Sequence, residues 1–344
     1  IRGGKKRRSE RHADDAVKGT MYILSCEKPE KGGGIYRCEI NDGSLKINAY
    51  LPCDRPMYAV RAGGRLHILL RAPFANGENS GYFSCPEDLS DKTDVRDTLG
   101  KVACHLCVIE DDVYIVNYLS GNIVKNCERA VAHAGRGVNA QRQEAPHTHC
   151  VIPSPCGKYI LCTDLGTDAL YIYDRELNLE NTAKVPEGYG IRHIVFSEDG
   201  KYIYAVNELV PSVSVLEWKN AMANYLNTVK LTESEGATGA AIRLSKDGKF
   251  LYCSVRGENA LYVLRADGAN LTVEQKTDCG GDSPRDFHII EDKFLICCNE
   301  NSDNVTVFSL QNDKIGVKTC GLKLKKPLCC VAEDLTGEGI NGSQ

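Results

Sequence analysis

The chain has 344 residues, 42% of them hydrophobic, and a formal net charge of −4, enough apolar material for one large domain or two ordinary ones. A charge balance this close to neutral excludes the basic footprint of a nucleic-acid-binding protein. No apolar run approaches the roughly 18 residues of a membrane-crossing helix, so neither nucleic acid nor membrane is an expected partner.

The basic cluster Lys5 to Arg8 lies in a polar stretch before Met21. Residues 1–20 read as a disordered or expression-derived leader, because the first strand-like run, "MYILSC", begins at Met21. "GIYRCEI" and "LKINAY" follow as two more strands. The chain then settles into a repeat whose units begin near Pro56, Val102, Ala145, Tyr189, Thr238 and Asp282. The unit from Gly190, "GIRHIVFSEDGKYIYAVNEL", shows the grammar: two alternating apolar runs joined by an Asp-Gly turn, which is a β-hairpin. A polar turn and a third strand follow in each copy. The "CHLC" copy from Cys104 is more degraded and lacks the turn glycine.

Lys158, Lys201, Lys249 and Lys293 hold the same place in four copies, roughly 43 to 48 residues apart, the period of propeller blades. Variable segments such as "LNLENTAKVPEGY" supply a fourth, outer strand, whereas "KNAMANYLN" at Lys219 reads as at most a short turn. "PLCCVAE" at Pro327 to Glu333 is a first strand without successors. Joined to the three N-terminal strands it completes a seventh blade and removes the free sheet edges. The expectation is all-β: a seven-bladed β-propeller of four-stranded antiparallel blades over residues 21–334, with a flexible tail at 335–344.

Seventeen cysteines, an odd number, fall mostly inside strand-like runs. They read as buried, reduced thiols acting as small hydrophobes, which points to the cytoplasm. The Cys-x-x-Cys at Cys104 and Cys107 has no second pair at zinc-site spacing. No metal and no cofactor are expected.

With the first strand of each blade innermost, the start of that strand and the end of the second lie on one mouth of the channel. This mouth collects Cys104 and His105 with Asn117; His147 and His149 with Asp164; Arg192 and His193 with Asn207 and Glu208; Arg243 with Arg256; and Arg285 with Asn299 and Glu300. Charges beside a narrow channel are costly unless paired or bound to ligand, which predicts one polar site. Tyr159, Tyr202, Tyr204 and Tyr252 fall at packing positions.

The motifs "RQEAPHTHCV", "DLGTDALYIYD", "IRHIVFSEDGKYIYAVNEL", "IRLSKDGKFLYCSVRG" and "SPRDFHI" resemble the seven-bladed lactonase family, which includes the propeller-type 6-phosphogluconolactonases and the fungal carboxy-muconate cyclases. The resemblance runs from Met21 to about Glu333 and is strongest from His147 to Phe308. It implies hydrolysis of a phosphorylated sugar lactone, 6-phospho-D-glucono-1,5-lactone, to 6-phosphogluconate in the pentose phosphate pathway. It also implies a site of His149, Arg192, Glu208 and Arg256, with Arg285 nearby. For such a reaction Glu208 or His149 would be the general base and Arg192 would meet the developing oxyanion. Arg256 and Arg285 would hold the phosphate, with His147, His193, Asn207 and Arg243 completing the binding surface. The alternatives are a lactonising cycloisomerase acting on a carboxy-muconate-type acid, and a protein-binding propeller without catalysis. Ala241 stands where relatives tend to carry a polar residue, and Glu300 where an amide is usual.

Overall fold

The computed structural model describes residues 17–75 and 78–332. Twenty-eight strands form seven four-stranded antiparallel sheets. Blade 1 comprises Pro56–Ala62, Arg65–Leu70, Gly81–Pro86 and Arg96–Asp97. Blade 2 comprises Ala103–Ile109, Asp112–Asn117, Asn122–Lys125 and Arg129–Ala132; blade 3, Thr148–Pro153, Tyr159–Asp164, Ala169–Asp174 and Leu179–Lys184. Blade 4 holds Ile191–Phe196, Tyr202–Asn207, Ser212–Lys219 and Met222–Lys230; blade 5, Thr238–Leu244, Phe250–Arg256, Ala260–Asp267 and Asn270–Asp278. Blade 6 holds Pro284–Ile290, Phe294–Asn299, Asn304–Gln311 and Lys314–Lys323. Blade 7 is assembled from both ends of the domain: Pro327–Ala332 pairs antiparallel with Lys18–Ser25, which continues to Gly34–Asn41 and Ser44–Pro52.

The first strand of every blade touches the first strand of the next, and the circle closes from blade 7 to blade 1. These seven strands therefore line the axis. Sheets of this kind present both faces to neighbours, so the second and third strands are buried almost throughout, as in Tyr202–Asn207 and Ser212–Lys219. The core is a series of wedges between blades. Tyr204, Val206, Val213 and Val215 of blade 4 pack on Ile242, Leu251, Cys253 and Leu264 of blade 5. The outermost strands are largely exposed, with at most one buried residue each, because one edge and part of each face meet water.

Two expectations need correction. The first N-terminal strand begins at Lys18, so Lys18 to Thr20 belong to the ring and pair with Asn41 to Glu39. "KNAMANYLN" is mostly strand: Asn220 and Ala221 form a tight turn with φ of 52° and 58°, and Met222–Lys230 is the outer strand of blade 4. Asparagine tolerates this left-handed conformation, which hides a hairpin turn that lacks glycine. The basic cluster at Lys5 to Arg8 and the tail from 335 onwards lie outside the described residues.

Candidate active site

In each blade the innermost strand carries one extra residue against its neighbour, at the same end. Ala103 pairs with Asn117 and His105 with Val116, leaving Cys104 unpaired. In the same way the register skips Met57 in blade 1, His149 in blade 3, Arg192 in blade 4, Arg285 in blade 6 and Leu328 in blade 7. In blade 5 the slip falls between Gly239 and Ile242, at Ala240 and Ala241. A β-bulge turns its extra residue out of the regular alternation, and here it turns it toward the axis. Met57, Cys104, His149, Arg192, Arg285 and Leu328 all line one narrow cavity, with Tyr58, His193 and Asp286. One arc of the ring is apolar, Leu328–Met57–Cys104; the other is ionisable.

Above this ring, at the end of the second strand of blade 4, stands Glu208. One carboxylate oxygen, Oε2, accepts from Arg192 Nε at 2.9 Å and lies 3.0 Å from Arg256 Nη2. The other, Oε1, accepts from Arg142 Nη2 at 2.5 Å. Glu208 is 4% exposed. Burial alone would push its carboxyl pKa up, but the guanidinium groups of Arg256, Arg192 and Arg142 together hold it well below the usual carboxylate range. Arg192 also donates from Nη1 to the Ala240 carbonyl oxygen, across the gap left by the small residues of blade 5. Burial and the neighbouring Arg256 bring the Arg192 pKa down to about 10, so it is charged at neutral pH. Its Nε and Nη1 are occupied, which leaves Nη2 for a ligand.

Three imidazoles sit in contact below. The His149 and His193 rings meet edge to face at 5.1 Å, and His193 meets His105 at 5.2 Å. Burial, with Arg192 close by, lowers the pKa of both His149 and His193 well below the ordinary value. Burial, with Arg243 and Arg192, brings His105 down to about 3. All three are neutral at pH 7, and His149 Nδ1 is buried without a hydrogen-bond partner.

This has a consequence for acid stability. Below about pH 6.5 the unfolded chain protonates these histidines while the folded chain refuses, so stability is complete above that pH and falls as pH drops through it. Each histidine contributes a slope of about 1.4 kcal/mol per pH unit. Thermal melts from pH 7.5 to 4.5 should show a steep loss beginning near pH 6. A melting temperature constant across that range would contradict the buried, neutral assignment.

The sequence profile of the family described as "Lactonase, 7-bladed beta-propeller" matches residues 20–332. The chain belongs to this lactonase family. A Staphylococcus aureus (strain N315) protein named only as uncharacterized is 30% identical over 331 residues, spanning 87% of this chain and 95% of its own. Among solved structures, a Bacteroides fragilis protein described as a "putative 6-phosphogluconolactonase" superposes with a TM-score of 0.84 at 23% identity, over 94% of this chain and all of its own. The periplasmic gluconolactonase PpgL of Pseudomonas aeruginosa gives 0.81 at 20% identity, over 92% of this chain and 99% of its own. At these identities the two structures speak for the shared fold.

The residues expected at the mouth divide. Arg192 and Arg256 converge on Glu208, and His149, Arg285 and His193 line the cavity with Arg192. Arg285 Nη1 lies 3.4 Å from Glu300 Oε2. Four other expectations are corrected. Asn207 is fully buried, and its amide donates to Ser212 and Ser214 Oγ within its own blade. Asn117 plays a similar part with Thr98 and Asn122. Asp164 is held by His133 at 2.7 Å and by the His147 backbone N–H. His147 stacks on Tyr118 at 4.5 Å and reaches Glu144 Oε1 at 3.1 Å, fastening the loop before blade 3.

Arg243 is also elsewhere. It pairs with Asp286 at 2.6 Å and lies over the Phe287 ring. Arg243 stands five residues before Gly248, but Arg192 stands eight before Gly200, a difference of about 10 Å along a strand. The shared Ile-Arg dipeptide is a false alignment; Ala240 is the true counterpart of Arg192. Arg142 and Tyr118 were missed. Arg142 comes from the long connection between blades 2 and 3 and also donates to the Tyr118 hydroxyl at 3.4 Å. Its only sequence signal was the "RQEAPHTHC" motif itself.

Proposed function

We propose that this lactonase hydrolyses 6-phospho-D-glucono-1,5-lactone to 6-phosphogluconate. The observation that carries the reading is the Glu208 hub: one buried carboxylate fixes Arg192, Arg256 and Arg142 beside a neutral His149 at the head of one cavity. Both Glu208 oxygens are taken by guanidinium groups, so its role in the proposal is to anchor them, and His149 is the base. A water gives a proton to His149 as its oxygen adds to the lactone carbonyl carbon. The carbonyl electron pair moves to oxygen, which Arg192 Nη2 stabilises. The bond from that carbon to the ring oxygen then breaks, and His149 returns the proton to the ring oxygen. Arg285 is suited to bind the phosphate, because a guanidinium fork matches its oxygens.

The names of the Bacteroides and Pseudomonas proteins support a gluconolactone over other lactones. The test is a coupled assay with freshly prepared 6-phosphogluconolactone, corrected for spontaneous opening, beside unphosphorylated glucono-1,5-lactone. Arg285→Ala should raise KM for the phosphorylated lactone roughly tenfold or more and leave the other unchanged. An equal rise for both would refute phosphate binding at Arg285. The apolar arc of Met57, Cys104 and Leu328 favours, as a second reading, a flatter acid cyclised as in the carboxy-muconate cyclases. Offering that acid to the same protein separates the two.

A further inference from the structure

Asp286 lies outside the set of residues that the family resemblance implies, yet it lines the same cavity as His149 and Arg192. It follows the bulged Arg285 on the innermost strand of blade 6 and is 3% exposed. Its Oδ1 accepts from Arg243 Nη2 at 2.6 Å, while Oδ2 is buried with no partner. Among the described residues six buried side-chain atoms lack a partner, and only Asp286 Oδ2 and His149 Nδ1 belong to residues lining this cavity. An orphaned buried carboxylate oxygen is costly, and such atoms call for a specific explanation. The whole cavity has room for about one water molecule. A water has two O–H donors, and these two unpartnered atoms belong to residues lining the same cavity.

We propose that the hydrolytic water is held between Asp286 Oδ2 and His149 Nδ1, and that Asp286 is a further catalytic residue of the lactonase. The inference rests on the lactonase reading. With both O–H bonds directed at these acceptors, the water's remaining lone pairs face the mouth, where Arg192 Nη2 awaits the lactone carbonyl. His149 takes one proton as the water oxygen bonds to the carbonyl carbon, and returns it to the ring oxygen when the acyl C–O bond breaks. The second proton stays on the new carboxyl group, hydrogen-bonded to Asp286. The sum is lactone plus water giving hydroxy acid. Arg243 fixes the carboxylate from its other side.

Two measurements test this. A high-resolution crystal structure of the resting protein should show an ordered water within about 3.2 Å of both atoms; a dry cavity, or a water touching neither, overturns the proposal whatever the activity. Asp286→Asn leaves an oxygen for Arg243 and turns an amide donor toward the cavity, so kcat should fall roughly 30-fold with KM little changed. In Asp286→Ala, sodium formate should restore part of kcat, which a purely structural role would not allow. Retention of more than a third of kcat in Asp286→Asn, or a loss confined to KM, sinks the catalytic role while the lactonase reading stands. A wild type inactive on every lactone, with the water in place, overturns both the reading and the role assigned to that water.

Discussion

Replacing Glu208 by Gln should destabilise the protein by about 3–5 kcal/mol, a drop in melting temperature on the order of 10 °C for a domain of this size. The amide keeps the shape and removes the one negative charge that Arg192, Arg256 and Arg142 share. Arg192 and Arg256, whose side chains are 2% and 16% exposed, are then left inside the protein without a counter-ion, whereas Arg142 can turn to water. The native carboxyl is held below the usual range, so its contribution is present above about pH 4.3 and is lost only as pH falls toward the lower folded value. At pH 7.5 the whole effect should therefore be visible by calorimetry. Added phosphate should restore part of the loss, since three unpaired guanidinium groups form an anion site. An unchanged melting temperature would mean that the hub does not hold the mouth together.

Arg192→Ala should lower kcat by about 10²–10³-fold, the range for removing one oxyanion donor, with a smaller change in KM. Arg192→Lys should rescue little. Lysine keeps the charge but cannot donate at once to Glu208, to the Ala240 carbonyl and to a ligand, as the planar guanidinium does. Thermal melts of both variants are needed alongside, because Arg192 is 2% exposed and packs the ring. Full turnover in the alanine variant would remove Arg192 from the reaction and leave it a structural role.

The acid-stability and active-site predictions differ in what they draw on. The histidines' acid sensitivity follows from burial and the neighbouring guanidinium groups, and would hold whether or not the ring is catalytic. The effects at Arg192 and Asp286 require the reaction, so they separate an enzyme from a scaffold built on the same ring.

The blade count, the closure by Pro327–Ala332 against Lys18–Ser25, and the gathering of Arg192, Glu208 and His149 were all legible along the chain. These depend on local signals: alternation with period two, turn chemistry and a recurring interval. The outer strand at Met222–Lys230 was obscured because its turn is Asn-Ala, without glycine. The bulge ring was not legible, since a bulge exists only relative to the register of the neighbouring strand, and no pattern within "GIRHIV" marks Arg192 as the extra residue. Arg243 shows the cost: the same dipeptide, shifted three places against its turn, puts the guanidinium on Asp286 and away from Glu208. Asn207, Asn117 and Asp164 look like site residues in a list of polar groups, and only their partners reveal that they cap their own blades. Sequence alone thus determined the ring and the mouth at which chemistry is placed, because periodicity is a property of one strand at a time. Tertiary structure decided which side chains turn inward and which are already spent on partners, because strand register, bulges and the crossing of Arg142 over the mouth are relations between segments far apart in the chain.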